Sequence, residues 1–299
     1  MKIRTRSQGF TLVEAIVVMV IIGIVAGMVA VFIRVPILGY RDTVDRAELT
    51  DQADLALRRM ARDIRLAVPN SVRVMSDAAG PNQRSALEFL LTKSGGRYLS
   101  VDDGVAPDPS LSSLDDAALP LSFTVIAPPR SFERVIPGDL LVVYNLGGGA
   151  APADAYSGGN TALIRTISGV VDNTPVGSIR TLTLDRNPFA NQNPRMTSPT
   201  SGFQVASGAV SFVCAPAGDG MFTLWRVWNY GINATQSIPA GGSRAMVATR
   251  LDTCANLFSY GSAATLRTGM VLLSLGLKGR TPDSATVRLV HQVHVENIP

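Results

Sequence analysis

Gly9-Phe10-Thr11-Leu12-Val13-Glu14 opens an uncharged apolar run from Ala15 to Ile33, and Lys2, Arg4 and Arg6 stand just before it. At about 1.5 Å per residue the run reaches about 28 Å, close to the thickness of a bilayer core. A carboxylate at the head of such a segment is costly. At the centre of a spanning helix an acidic residue costs roughly 2.5–3.5 kcal/mol, less towards the interface. Something must neutralise Glu14, and the candidate is a positive charge on a neighbouring copy of the same kind of helix. The stretch therefore reads as an assembly signal.

The hexapeptide and its basic flank resemble the processing site of type IV pilins and of type II secretion pseudopilins. That resemblance implies a prepilin peptidase that cuts between Gly9 and Phe10 and methylates the new N-terminal Phe10. Glycine has no side chain, so an extended scissile segment can approach a catalytic site closely. A methylated secondary amine keeps its positive charge and can pair with Glu14 of an adjacent subunit. An ordinary secretory signal peptide also has a basic start and an apolar core. This run is long for such a core, begins at a carboxylate and is followed by no clear Ala-x-Ala site. A plain single-pass anchor accounts for the length but leaves Gly9 and Glu14 unexplained.

Of the 299 residues, 46% are hydrophobic and 17% charged, which suits a globular domain with one added membrane segment. Net charge is +4, and removing Lys2, Arg4 and Arg6 leaves +1, so the basic pI near 9.3 belongs mostly to the leader. It gives no case for nucleic-acid binding. Basic residues before the run, and Asp42, Asp45, Glu48 and Asp51 after it, place the N-terminus in the cytoplasm and the rest beyond the inner membrane. Cys214 and Cys254 fall in that outer portion, where an even count favours a disulfide over a metal site. Two buried free thiols are the alternative.

Pro36 and Gly39 predict a bend or break in the helix. From Tyr40 to Val68 the helical period returns, with Val44, Ala47, Ala53, Leu57, Met60, Ile64 and Ala67 forming an apolar stripe. Acids (Asp42, Asp45, Glu48, Asp51, Asp54) crowd its first half and bases (Arg58, Arg59, Arg62, Arg65) its second, in the order that the helix dipole favours. Asp42–Arg46 and Asp54–Arg58 are well-oriented i, i+4 pairs. A solvated face explains most of these charges, and contacts between neighbouring helices are the second reading. Pro69 ends the element. If Pro36 only bends it, a helix from Phe10 to Val68 is about 90 Å long.

Beyond Asn70 the helical period disappears. Nine runs read as strands: Leu87–Leu91, Leu121–Ala127, Leu140–Asn145, Ala162–Ile167, Ile179–Leu184, Phe203–Cys214, Met221–Trp228, Met270–Leu277 and Ala285–Val295. Phe203–Cys214 and Met221–Trp228 form an expected hairpin. The polar stretches Asp102–Asp116, Gly147–Gly159 and Asn187–Gly202 read as long loops. One large domain or two abutting sheets would bury this much strand-rich sequence.

Little here points to catalysis, and no enzyme activity, metal or cofactor is expected. His291 and His294, three apart on a strand, point to opposite faces and chelate poorly. Trp225 and Trp228 have the same spacing, so one ring is expected in the core and one exposed, where it could stack on a sugar. Gly147-Gly148-Gly149 lacks the Lys-Ser/Thr of a P-loop and reads as a turn. No Gly-x-Ser-x-Gly elbow occurs.

A finer resemblance lies in Gly39–Val44, Arg46–Asp51, Ala56–Arg65 and Pro69–Arg73, which look like the MshO type of MSHA pilus biogenesis protein; the ending His291–Pro299 is similar too. The pattern Leu57 to Arg65 also resembles the J-type minor pseudopilin of type II secretion. Many major pilins carry a helix proline earlier than Pro36, where this chain has Val31. Major pilins are also usually much shorter. The expectation is therefore an α+β, pilin-like fold in four parts: leader 1–9, membrane half of the helix 10–35, amphipathic half 36–69, and an antiparallel β-rich head 70–299. The implied protein is a minor pilin anchored in the bacterial inner membrane with its head in the periplasm, then incorporated into a pilus or pseudopilus for assembly, priming or adhesion. Implied partners are other major and minor pilins through the helix, prepilin peptidase and an inner-membrane assembly platform. A membrane-anchored binding or adhesion module that never polymerises is the alternative from a different class.

Overall fold

The computed structural model describes residues 9–77, 82–106, 108, 110–118, 120–261, 268–279 and 286–299, apart from the side chains of residues 34–36 and 38. Lys2, Arg4 and Arg6 lie outside them, as does Ala285 at the head of the last expected strand. One helix, α1 (Leu12–Ile64), runs for 53 residues. It continues through Pro36 and Gly39, so the expected break is not present. A proline inside a helix removes one hydrogen bond, and here long helical stretches on both sides hold the path.

The helix ends at Ile64, four residues before the expected Val68. The next residues are drawn into the sheet: the Val68 N–H donates to the Leu90 carbonyl at 2.8 Å, and the Thr92 N–H donates to the Leu66 carbonyl at 2.8 Å. Burial on the head begins at Leu49 and continues through Ala53, Ala56, Leu57, Met60, Ala61 and Ile64. Val44 and Ala47, expected in the same stripe, are exposed because they lie ahead of the first head contact. Asp42–Arg46 (3.0 Å) and Asp54–Arg58 (2.7 Å) form as ion pairs along the helix.

Thirteen strands among the described residues form one antiparallel system. They are β1 (Arg73–Asp77), β2 (Arg84–Tyr98), β3 (Ser122–Ile126), β4 (Leu140–Val142), β5 (Thr161–Ile167), β6 (Val171–Thr174), β7 (Gly177–Leu184), β8 (Gly202–Pro216), β9 (Phe222–Trp228), β10 (Ser243–Leu251), β11 (Phe258–Gly261), β12 (Thr268–Lys278) and β13 (Thr286–Glu296). The expected β8–β9 hairpin is present, with Val210 opposite Trp228 and Pro216 opposite Phe222. Sequence reasoning overlooked β1, β6, β10 and β11.

The two 15-residue strands organise the head. Their near halves, Ser85–Leu90 against Ala209–Cys214, lie in an open sheet that continues through β9, β10, β12 and β13. The far halves pair onwards with different partners. β2 joins β3, β3 joins β7, β7 joins β5, β5 joins β4, β4 joins β8, and β8 returns to β2. Six strands thus close on themselves as a small barrel. Ladder irregularities at Leu90/Thr92 and Thr92/Ser94, where a strand bends most readily, mark the passage from sheet to barrel. Gly95 and Gly96 follow; a Cβ on Gly96 would sit 2.9 Å from the Phe203 ring, so that ring can close over the strand only because no side chain is there.

Each part has its own core. Between α1 and the open sheet lie Met60, Leu57, Phe89, Phe212, Leu224 and Leu273 among others. Inside the barrel, Tyr98, Phe123, Leu141, Ile164, Leu182 and Phe203 come one from each strand. A third cluster of Val68, Leu90, Val142 and Tyr156 fills the junction. Cys214 on β8 and Cys254 after β10 form a disulfide whose sequence separation is 40. A loop of that length is worth about 4 kcal/mol in the chain-entropy model.

Candidate functional site

Thr11 starts the helix. Its backbone is extended (φ −77°, ψ 149°), and its hydroxyl accepts a hydrogen bond from the Glu14 N–H at 3.3 Å. This satisfies one of the N–H groups that every helix start leaves without a partner. Glu14 thereby stands in the first turn, where the helix dipole favours a negative charge. Its carboxylate takes no part in the cap and has no partner among the described residues. It is exposed, as is Phe10 at 79%.

No described residue crowds Gly9. A Cβ there would meet nothing within 4 Å, and its φ is outside the left-handed range. Leu12–Ile33 has a mean hydropathy of 3.2 and none of it is buried by the rest of the chain. The N-terminal half of α1 is therefore an apolar rod with one carboxylate at its tip that no described residue neutralises.

The remaining candidates sort differently. The burial alternation of β13 puts His291 on the half-buried face with Val293 and Val295, and His294 on the exposed face. No group of three or more possible ligands occurs among the described residues. Trp225 and Trp228 do lie on opposite faces of β9, but neither ring is in the core nor bare. Both are half-buried, with Arg244 4.6 Å above the Trp225 ring and Arg226 5.0 Å above that of Trp228. An arginine thus lies over one face of each ring. Gly147 and Gly149 have φ of 94° and 86°, as a turn requires, and Gly147 lies against Asn70.

Sequence reasoning missed the largest buried polar group. Glu88, on the β2 face away from α1, accepts from Arg73 Nε at 2.6 Å and from the Tyr230 hydroxyl at 2.8 Å. Arg73 also lies 3.5 Å over the Tyr156 ring, and the Tyr156 hydroxyl donates to the Ser71 carbonyl. Burial, with Glu88 nearby, pushes the Tyr156 and Tyr230 hydroxyls well above their usual pKa. The one signal was a glutamate in the middle of the apolar run Leu87–Leu91. The network braces the joint between helix, sheet and barrel.

Residues 4–30 match the family model of the prokaryotic N-terminal methylation motif, a span that contains Gly9, Phe10 and Glu14. No curated protein and no solved structure matches the chain. The match supports a type IV pilin-like N-terminal segment, of the kind that prepilin peptidase processes, and the apolar helix fits membrane anchoring.

Proposed function

We propose that this chain is a minor subunit of a type IV pilus, of the MSHA kind that its helix sequence resembles. Its role is structural, not catalytic. The precursor sits in the inner membrane with its head in the periplasm until the peptidase cuts between Gly9 and Phe10 and methylates Phe10. The new terminal amine of one subunit then pairs with Glu14 of the next, offsetting the cost of burying that carboxylate among apolar helices. The observation that carries this reading is the pairing of an unneutralised Glu14 with a rod that its own chain leaves bare. The size of the head favours a subunit present in few copies, since a sheet with an added barrel limits how densely such chains pack. In that position the head primes assembly, and its exposed loops are placed for adhesion.

The pattern from Leu57 to Arg65 favours a second reading, a J-type minor pseudopilin of type II secretion. The two share an N-terminus and are separated by deletion: loss of pili against loss of secreted enzymes. A membrane-anchored module that never polymerises is distinguished earlier. Mass spectrometry of the native protein should find a chain that begins with N-methyl-phenylalanine at position 10. A chain beginning at Met1, or well beyond Ile33, would refute the proposal.

A further inference from the structure

The outward face of the second half of α1 carries a pattern that repeats at eleven residues. Val44 and Leu55 stand at that interval, both about half exposed (45% and 51%). Asp51 lies between them and Arg62 beyond Leu55, again eleven apart; Glu48 and Arg59 keep the same interval. Eleven residues make three turns at 3.67 residues each, so these positions share one stripe along the helix. The head packs on the opposite side, through Ala53, Met60 and Ile64. Asp51 and Arg62 are exposed and make no ion pair among the described residues.

We infer that this stripe is a contact for a second copy of the chain, lying parallel and displaced along the helix by eleven residues, about 16.5 Å. This inference rests on the filament reading above, with two of the few copies adjacent in the filament. At that displacement Leu55 of one copy lies opposite Val44 of the other. Arg62 then lies opposite Asp51. At zero displacement the same stripe places Asp51 against Asp51 and Arg62 against Arg62, and like charges in contact repel. Two copies anchored in one membrane sit at equal depth, so the pattern holds them apart there. It favours them once one has been moved outward relative to the other. The charge order that suits the helix dipole thus also sets a register between chains.

The test uses full-length chains in cells that assemble the filament. One chain carries Val44→Cys, a second, differently tagged, carries Leu55→Cys, and both are oxidised together. The expected product is the mixed disulfide between position 44 of one chain and position 55 of the other, in excess over either symmetric dimer. Adding Asp51→Arg to the first chain should lower that product about threefold, as expected when a favourable exposed pair becomes a repulsive one. Adding Arg62→Asp to the second chain should then restore it. Symmetric 55–55 dimers in excess, no cross-link at all, or no rescue would overturn the register. N-terminal mass spectrometry on the same samples separates the two levels. A methylated Phe10 without the mixed disulfide sinks the register alone, whereas an unprocessed N-terminus sinks the filament reading.

Discussion

Arg226 Nε on β9 donates to Asp63 Oδ2 at 2.6 Å, with both side chains about three-quarters covered, and so pins the last turn of α1 to the sheet. The pair sits where the helix gives way to backbone pairing with β2, and it fixes the angle at which the rod leaves the head. Replacing Asp63 by Ala should cost about 1 kcal/mol, and a double-mutant cycle with Arg226→Ala should show coupling of similar size. Denaturant unfolding of the head measures both. Additive losses would mean that the pair is incidental.

The Glu88 network makes a larger demand. Glu88→Leu leaves the Arg73 guanidinium without its carboxylate in a mostly covered site, and removing one partner of a buried pair costs about 3–5 kcal/mol. Adding Arg73→Met to the same chain removes the stranded charge and should recover part of the loss. Arg73 also donates to the Asn233 carbonyl at 2.7 Å and the Ala234 carbonyl at 2.8 Å; if the double variant is less stable than Glu88→Leu alone, Arg73 is held chiefly by these carbonyls and the Tyr156 ring.

The tyrosines give a pH signature. Burial, with Asp115 nearby, raises the Tyr98 pKa from 10.0 to about 12, and Tyr156 and Tyr230 move the same way. A raised folded-state value stabilises the fold fully below the unfolded pKa near 10, and this contribution is lost as pH climbs towards 12 and beyond. Absorbance titration of the folded protein between pH 10 and 12 should therefore fall short of the six tyrosinates that the sequence allows. The remainder should appear on unfolding in urea. All six ionising at pH 11 with native circular dichroism intact would contradict this account.

At the helix tip, Glu14→Ala should leave processing largely intact and reduce incorporation into filaments, since the cap donated to Thr11 uses the backbone of residue 14 and not its carboxylate. Immunoblotting of sheared filaments reads the incorporation, and unchanged filament number and composition would count against pairing. Gly9→Trp should leave the full-length precursor uncut. Ordinary mature product from that variant would refute the cleavage assignment.

How much of this was readable in advance varies along the chain. The apolar run and the strand-rich head follow from periodicity, and Glu14 stands out because a carboxylate there is expensive. The barrel is invisible for a physical reason. It depends on β2 and β8 changing neighbours halfway along, at Leu91–Ser94 and Ser207–Gly208, and local pattern does not record which strand lies alongside. Gly95 and Gly96, beyond the expected strand end at Leu91, lie within β2 and make room for Phe203. β10 escaped notice because its first four residues are exposed and its alternation is interrupted by register shifts at Met246/Ala248 and Ala248/Leu251. Leu66 and Val68 look helical, and only pairing with Leu90 and Thr92 ends the helix before them.

The two strands shared by sheet and barrel also set how the head would respond to force. A pull on the barrel, away from the rod, runs as tension down two covalent backbones into the lower sheet. There β2 is flanked by β1 and β8, and β8 by β9, so many hydrogen bonds must slide at once instead of opening one after another. A load on the barrel would reach α1 through a joint arranged in shear, the geometry in which a β-sheet yields last.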